Sequence, residues 1–348
     1  MRIERRERPS ARLAALGALA ACLLMLLLGS LLIAAAGAPL AASWAAMARG
    51  AFGSRLAISE VLTRSTPLIL TGLACAVAFR ARLWNIGAEG QLYAGALVVA
   101  ALGSGWLAGP VWLLAPALLL AGALGGGLYL LGPAMLRHWA NVDDVVTTLL
   151  LNFVMLLLVS LLIQGPMRDP LSLGWPQTEP VADAAMLPRL LAQTRLHAGL
   201  LIALGCALLA ALVESRSAFG LQRRAVGHNP AAARFAGIST TRVVVGTALA
   251  SGGLAGLAGA VEVMGLRGYV TGDLSPGFGY TGVIVAMLAR LHPGAVPPAA
   301  FLVAAVFVGA DAMGRAFNVP SYIADVMVAL SLFAMLATTF VLTYRIRR

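Results

Sequence analysis

The sequence predicts an all-α integral membrane protein with about ten transmembrane helices. Of its 348 residues, 60% are hydrophobic and 11% are charged, whereas soluble domains carry about 25% charged residues. Apolar runs recur along the chain, and most approach the roughly 20 residues that a helix needs to cross the hydrocarbon layer. We predict spans at residues 13–36, 61–79, 84–103, 111–136, 143–164, 197–213, 243–264, 279–290, 296–314 and 321–343.

The distribution of positive charge predicts that both termini are cytoplasmic. All 25 basic residues are Arg. With the N-terminus inside, most of them fall in cytoplasmic loops, as the positive-inside rule requires. The first apolar run, 13–36, is longer than the roughly 7–15 apolar residues of a signal peptide. We therefore expect an uncleaved first span.

Two blocks of the chain have a similar layout. Residues 61–164 and 243–343 each hold four predicted spans, and the two blocks start from opposite sides of the membrane. This is the layout of an inverted repeat, whose interface typically holds a transport pathway. We treat residues 1–348 as a single transmembrane domain, with a cytoplasmic segment at 214–242 between the blocks.

The longest external segment is residues 165–196, which is rich in Pro. The sequence LPRLLAQTRLH at 187–197 has the pattern of an amphipathic helix that lies along the membrane interface. The alternative is a simple linker. Because ordered loops commonly carry function, docking of a partner protein and a linker role remain equal alternatives.

Small residues at a spacing of four predict close helix packing within the membrane. Gly122 and Gly126 form one such pair, and Gly252 and Gly256 form another. Glycines at this spacing allow two helix backbones to approach each other closely.

The segment 214–242 carries five Arg against one Glu and contains a short helix with both ends marked. Asn229 is a good N-cap, since its side chain accepts hydrogen bonds from first-turn N–H groups. Pro230 suits the first helical position, and Gly237 permits the left-handed conformation that ends a helix. Phe235 is the large apolar side chain between them. A capped, basic helix in a cytoplasmic segment predicts a docking site for a cytoplasmic partner.

Polar residues cluster at the start of the third predicted span, where the sequence contains Asn85, Glu89 and Gln91. Polar groups inside a membrane are costly and tend to be functional, so one interpretation places them along a solute pathway. The other makes Asn85 a helix cap and Glu89 a partner for the positive helix N-terminus. Asn152, inside the fifth span, needs an internal partner, which is either another helix or a solute.

The residue inventory excludes several chemistries. A chain without Lys has no P-loop lysine and cannot hydrolyse ATP by that route. The four His residues lack metal-binding spacing, and the three Cys residues lie within apolar runs. We therefore expect no catalytic residue, no metal and no bound cofactor. Membrane orientation explains the basic charge better than nucleic-acid binding does.

Four segments in this order resemble the permease subunits of bacterial ABC importers for nucleosides and simple sugars. They are NIGAEGQLYAGA (85–96), DDVVTTLLLN (143–152), AVGHNPAAARFAGI (225–238) and GFGYTGVIVAMLAR (277–290). The resemblance covers nearly all of the chain beyond residue 60. It implies a type II ABC importer fold in a bacterial inner membrane. The implied solutes are nucleosides or related simple sugars and purines, with ribose and branched-chain amino acids as alternatives.

The resemblance also implies partners. They are two cytoplasmic ATPase subunits that use ATP and Mg²⁺, a second related permease in a heterodimer, and an external substrate-binding lipoprotein. It identifies part of 214–242 as the coupling helix that contacts the ATPase, with the residues Gly227, Asn229, Pro230, Ala233, Arg234, Phe235 and Gly237. The alternative hypothesis is a secondary transporter coupled to ions through Glu89 or Glu262.

Overall fold

The computed structural model describes residues 2–5, 11–105, 109–320 and 322–347, and most of these residues are helical. The helices are α1 (Ala11–Ala35), α2 (Leu40–Phe52), α3 (Arg55–Arg80), α4 (Ala88–Gly103), α5 (Val111–Ala140), α6 (Asp144–Gln164), α7 (Gly199–Arg216), α8 (Ala218–His228), α9 (Pro230–Phe235), α10 (Thr240–Glu262), α11 (Phe278–Leu288), α12 (Val296–Phe317) and α13 (Tyr322–Thr343). Two short strands, β1 (Arg2–Arg5) and β2 (Tyr344–Arg347), pair in antiparallel fashion.

The helices confirm the all-α membrane class. Each of the ten predicted spans overlaps one of them. By length and hydropathy, six helices of the described ranges can cross a membrane, or seven if the bent pair α1–α2 forms one span. Helices α4 and α11 are apolar but shorter, at 16 and 11 residues. Ten membrane crossings therefore stay a prediction.

Residues 1–61 and 302–348 form one compact unit. In this unit α1 lies against α13, and the two strands join the ends of the chain. Helix α2, which the sequence analysis did not predict, follows α1 after a bend of 115°. Gly37 occupies the left-handed region at this bend, with φ +73°. The Trp44 Nε1–H of α2 donates to Ser30 Oγ at 3.0 Å and fixes the bend.

Residues 62–301 form the other unit, and its centre is a packed layer of α4, α5 and α10. The two predicted glycine pairs face each other. A Cβ added to Gly252 would collide with the carbonyl oxygen of Gly126, and one added to Gly256 would collide with that of Gly122. The helices α5 and α10 therefore touch through their backbones, which confirms the predicted close packing.

Residues 187–197 form no amphipathic helix, so that prediction is wrong. The chain instead folds back on itself: Leu190 N–H donates to Leu196 O at 2.8 Å, and Arg189 and His197 form an isolated bridge. Leu196 and His197 are buried. The hydrogen bonds across the turn and the burial of these two side chains stabilise this conformation in place of a helix.

Candidate functional site

The cytoplasmic segment predicted at 214–242 consists of two helices. Helix α8 begins after Ser217, whose hydroxyl accepts a hydrogen bond from Gly220 N–H at 3.0 Å. It buries Gly220, Arg223, Val226 and Gly227 and leaves its other face open. A glycine at 227 is required, because a Cβ there would collide with the carbonyl oxygen of Arg80. Helix α8 therefore lies directly on the C-terminal end of α3.

Helix α9 has the caps that the sequence predicts. Asn229 Oδ1 accepts from Ala231 N–H at 3.0 Å and from Ala232 N–H at 3.1 Å. Pro230 is the first helical residue. Gly237 has φ +80°, and Ile238 N–H donates to Ala233 O at 3.0 Å, which closes the C-terminus. Both ends are therefore held, and a six-residue helix that is too short to be stable alone keeps its shape.

The two faces of α9 differ in their contacts. Ala233 is buried in a small apolar cluster with Val226 of α8 and Val243 of α10, and Ile238 packs at its edge. On the other face, the Phe235 side chain is 97% exposed. Burial of an aromatic side chain is a large source of stability. This residue is therefore the candidate contact with a partner protein.

Glu214 at the end of α7 attaches this segment to the rest of the unit, and the sequence analysis did not identify it. Its buried carboxylate forms ion pairs with Arg80 of α3 and Arg223 of α8, and a third with Arg224 at 3.0 Å. Arg224 Nη1 also donates to Glu214 O at 2.6 Å. Arg80 Nε donates to Leu291 O at 2.7 Å. The Glu214 carboxylate thus connects α3, α7 and α8, and Arg80 extends this network to the turn after α11.

Burial, together with the nearby charges of Arg80 and Arg224, lowers the pKa of Arg223 to about 10. This value is still well above neutral pH, so the Arg223 guanidinium remains charged under physiological conditions.

A crevice of about 810 Å³ lies beside α9, between the α5–α6 turn and residues 81–83. Arg234 of α9 lines it together with Arg137 of α5 and Asp144 of α6, which form an ion pair. Asp144 also accepts from Trp84 N–H at 2.5 Å. The crevice is therefore polar, and one of its walls is the predicted coupling helix.

The four predicted pathway residues are all buried at or near the start of α4. Asn85 and Gln91 form a reciprocal amide pair, with Asn85 Nδ2 to Gln91 Oε1 at 2.8 Å and Gln91 Nε2 to Asn85 Oδ1 at 2.7 Å. Asn85 Nδ2 also donates to Ser251 Oγ of α10 at 3.0 Å. The N-cap of α4 is Gly87, so the interpretation of Asn85 as the cap residue is wrong.

Glu89 and Asn152 hold neighbouring helices together. The Glu89 carboxylate accepts from Gly279 N–H at 2.6 Å, in the first turn of α11. It therefore lies at the positive ends of two helices, its own α4 and α11. Asn152 of α6 accepts from Gly90 N–H at 2.8 Å and donates to Ile86 O at 3.0 Å. Its internal partners are thus backbone groups of α4 and the loop before it.

Within the described ranges, no group of three or more His, Cys, Asp or Glu side chains could hold a metal ion. Glu262, the other candidate for ion coupling, is buried with Arg267, Arg195 and Arg64 as its charged neighbours.

A family model described as the permease component of branched-chain amino acid transport systems matches residues 57–338. The glucose ABC transporter permease protein TsgB13 of Haloferax volcanii is 36% identical, over 84% of this chain and 79% of its own length. The guanosine ABC transporter permease protein NupP of Bacillus subtilis is 33% identical, over 90% of both chains. The nucleoside ABC transporter permease protein NupB of Lactococcus lactis is 30% identical, over 84% of this chain and 82% of its own length. No solved structure matches the chain.

Proposed function

We propose that this chain, which belongs to the family of permease components of branched-chain amino acid transport systems, forms part of the pathway of an ABC importer. The solutes of that importer are nucleosides or related simple sugars. The support for this solute class is that the relatives are named as permeases for guanosine, nucleosides and glucose. Membership of the family makes the chain a membrane permease rather than an enzyme.

In this proposal the chain crosses a bacterial inner membrane ten times and has both termini in the cytoplasm. The blocks 61–164 and 243–343 form an inverted repeat around the pathway, as in transporters that alternate access by rigid-body movement. The buried residues Asn85, Glu89, Gln91 and Asn152 border the pathway. Their hydrogen bonds to each other and to the backbone support a role in holding the shape of the wall beside the solute.

The exposed Phe235 on a doubly capped helix is the observation that carries the coupling proposal. Helix α9 contacts a partner ATPase that hydrolyses Mg-ATP, and Phe235 with Arg234 supplies the contact. The residues Gly227, Asn229, Pro230, Ala233 and Gly237 give the helix its fixed shape and position. Because α9 packs on α8 and α8 lies on α3, a displacement of α9 passes to the helices of the pathway.

The remaining partners follow from the same proposal. A second, related permease completes the pathway, two ATPase subunits supply energy, and an external substrate-binding lipoprotein delivers the solute. The chain itself binds no cofactor and supplies no catalytic residue.

The substitution Phe235→Asp tests the coupling contact. We expect it to abolish co-purification of the ATPase and uptake of labelled guanosine, because a charge replaces the apolar group that the partner buries. The helix itself is expected to survive, since Phe235 is almost fully exposed.

The matched control is Leu173→Asp, at a fully exposed apolar residue of the external segment. This variant is expected to retain the ATPase in a pull-down. If Phe235→Asp kept both the ATPase and guanosine uptake at wild-type levels, the assignment of α9 as the coupling helix would be wrong.

A further inference from the structure

The Glu214 cluster holds more positive charge than it neutralises. Arg80, Arg223 and Arg224 share the single carboxylate of Glu214, which leaves a surplus of two positive charges. Arg223 is buried, and its Nε has no hydrogen-bond partner among the described residues. Buried charges in proteins are normally paired. The cluster is therefore suited to a further anion, which would approach through Arg224, whose side chain is 39% exposed.

The surroundings of the cluster indicate what that anion is. Helix α7, which ends at the cluster, is a candidate membrane span, and only 28% of its apolar 18-residue stretch is buried. Leu201, Leu208 and Leu212 are all exposed, and their spacing places them on one side of the helix. Leu221 of α8 is 61% exposed. This exposed apolar surface suits contact with lipid, and it ends at the exposed Arg216, an arrangement typical of arginines at the headgroup level of a bilayer.

We propose that the corner between α7 and α8 binds the headgroup phosphate of an anionic phospholipid. Arg224 and Arg216 supply the charged donors, and the acyl chains lie along Leu208 and Leu212. Arginine is well suited to this role because its planar fork pairs with phosphate oxygens, and basic pockets beside spans attract anionic headgroups. The site requires only that the chain lies in a membrane, and it does not depend on the partner of α9.

The test is a titration of the purified protein, together with the subunits that co-purify with it, followed by native mass spectrometry. Phosphatidylglycerol is compared with phosphatidylcholine of the same acyl chains. We expect the wild type to bind phosphatidylglycerol more tightly. Arg224→Gln is expected to weaken that binding about fivefold, the effect of one basic residue near a membrane surface. Arg216→Gln leaves every Glu214 contact in place and should weaken binding in the same direction.

The control variant is Arg242→Gln, which removes an exposed arginine at the start of α10 and is expected to leave the affinity unchanged. Equal binding of the two lipids, or an equal loss in Arg242→Gln, would overturn the proposal. Displacement of phosphatidylglycerol by millimolar inorganic phosphate would overturn the lipid assignment in favour of a free anion. None of these outcomes changes the result expected for Phe235→Asp.

Discussion

Glu214 is the single acidic residue of the α8–α9 attachment, and its position explains why the segment is rigid. Its carboxylate is buried, and it contacts guanidiniums from α3 and from two positions on α8. Removing one partner of a buried ion pair is strongly destabilising, because the remaining charges lose their compensation. Here the loss of stability is expected to be larger than for a simple pair, because three cations would be left beside each other.

Glu214→Gln keeps the shape of the side chain but removes the charge. We expect it to lower the free energy of unfolding by about 3 kcal/mol, measured as a lower Tm of the purified protein. Glu179→Gln, at an exposed position of the segment 165–196, is the control and should leave the Tm within about a degree, as surface substitutions usually do. An unchanged Tm in Glu214→Gln would show that the cluster does not hold the segment.

The predictability of a residue depended on how far away its partners lie in the chain. Asn229, Pro230 and Gly237 were predicted because a helix cap is a local motif within a few residues. Glu214 was missed, because Arg80 is 134 residues away and the sequence offers 25 arginines as partners. Glu89 was predicted to meet a helix N-terminus, yet the bond at α11 is 190 residues distant and only folding reveals it.

At the scale of helices, the contact of α5 with α10 depends on the absence of side chains at four glycines. Gly256→Leu would place a branched side chain against the carbonyl oxygen of Gly122. Backbone cannot move aside as a flexible side chain can, and overpacking of this kind costs about 1–3 kcal/mol or more. We expect a lower yield of folded protein and a lower Tm.

Gly205→Leu is the matched control for that substitution. Gly205 lies in α7, and a Cβ added there would meet open space. The variant is expected to fold as well as the wild type, since leucine is a better helix former than glycine. Comparable loss of Tm in both variants would mean that helix propensity, rather than the α5–α10 contact, determines the effect.

Apolar periodicity and spacing predicted the positions of most helices but not the shape of the segments between them. The ten apolar runs each overlap a helix, because length and hydropathy are properties of the run itself. The prediction of a helix at 187–197 was wrong, because the turn and the backbone hydrogen bonds found there depend on the burial of Leu196 and His197. Helix α2 was missed because it follows a bend held by Trp44 and Ser30, a contact that no sequence pattern marks.

For the whole molecule, composition and family both bear on the source of energy for transport. The chain has no Lys, so it has no P-loop lysine to hold the phosphates of ATP. It belongs to a family of permease components, and Glu89 and Glu262, the candidates for ion coupling, are engaged by Gly279 N–H and by arginines. These observations support the proposal that the energy for transport comes from another subunit.

Replacing the P-loop lysine of the co-expressed ATPase is therefore expected to abolish uptake of labelled guanosine, although this chain is unchanged and still assembles. The measurement is uptake into right-side-out vesicles loaded with a known amount of ATP, with the amount of permease checked in each preparation. The control supplies an ion gradient in the absence of ATP, and we expect no uptake above background. Because a secondary transporter would show the reverse pattern, with uptake under the gradient and no loss in the lysine variant, the two measurements separate the hypotheses completely.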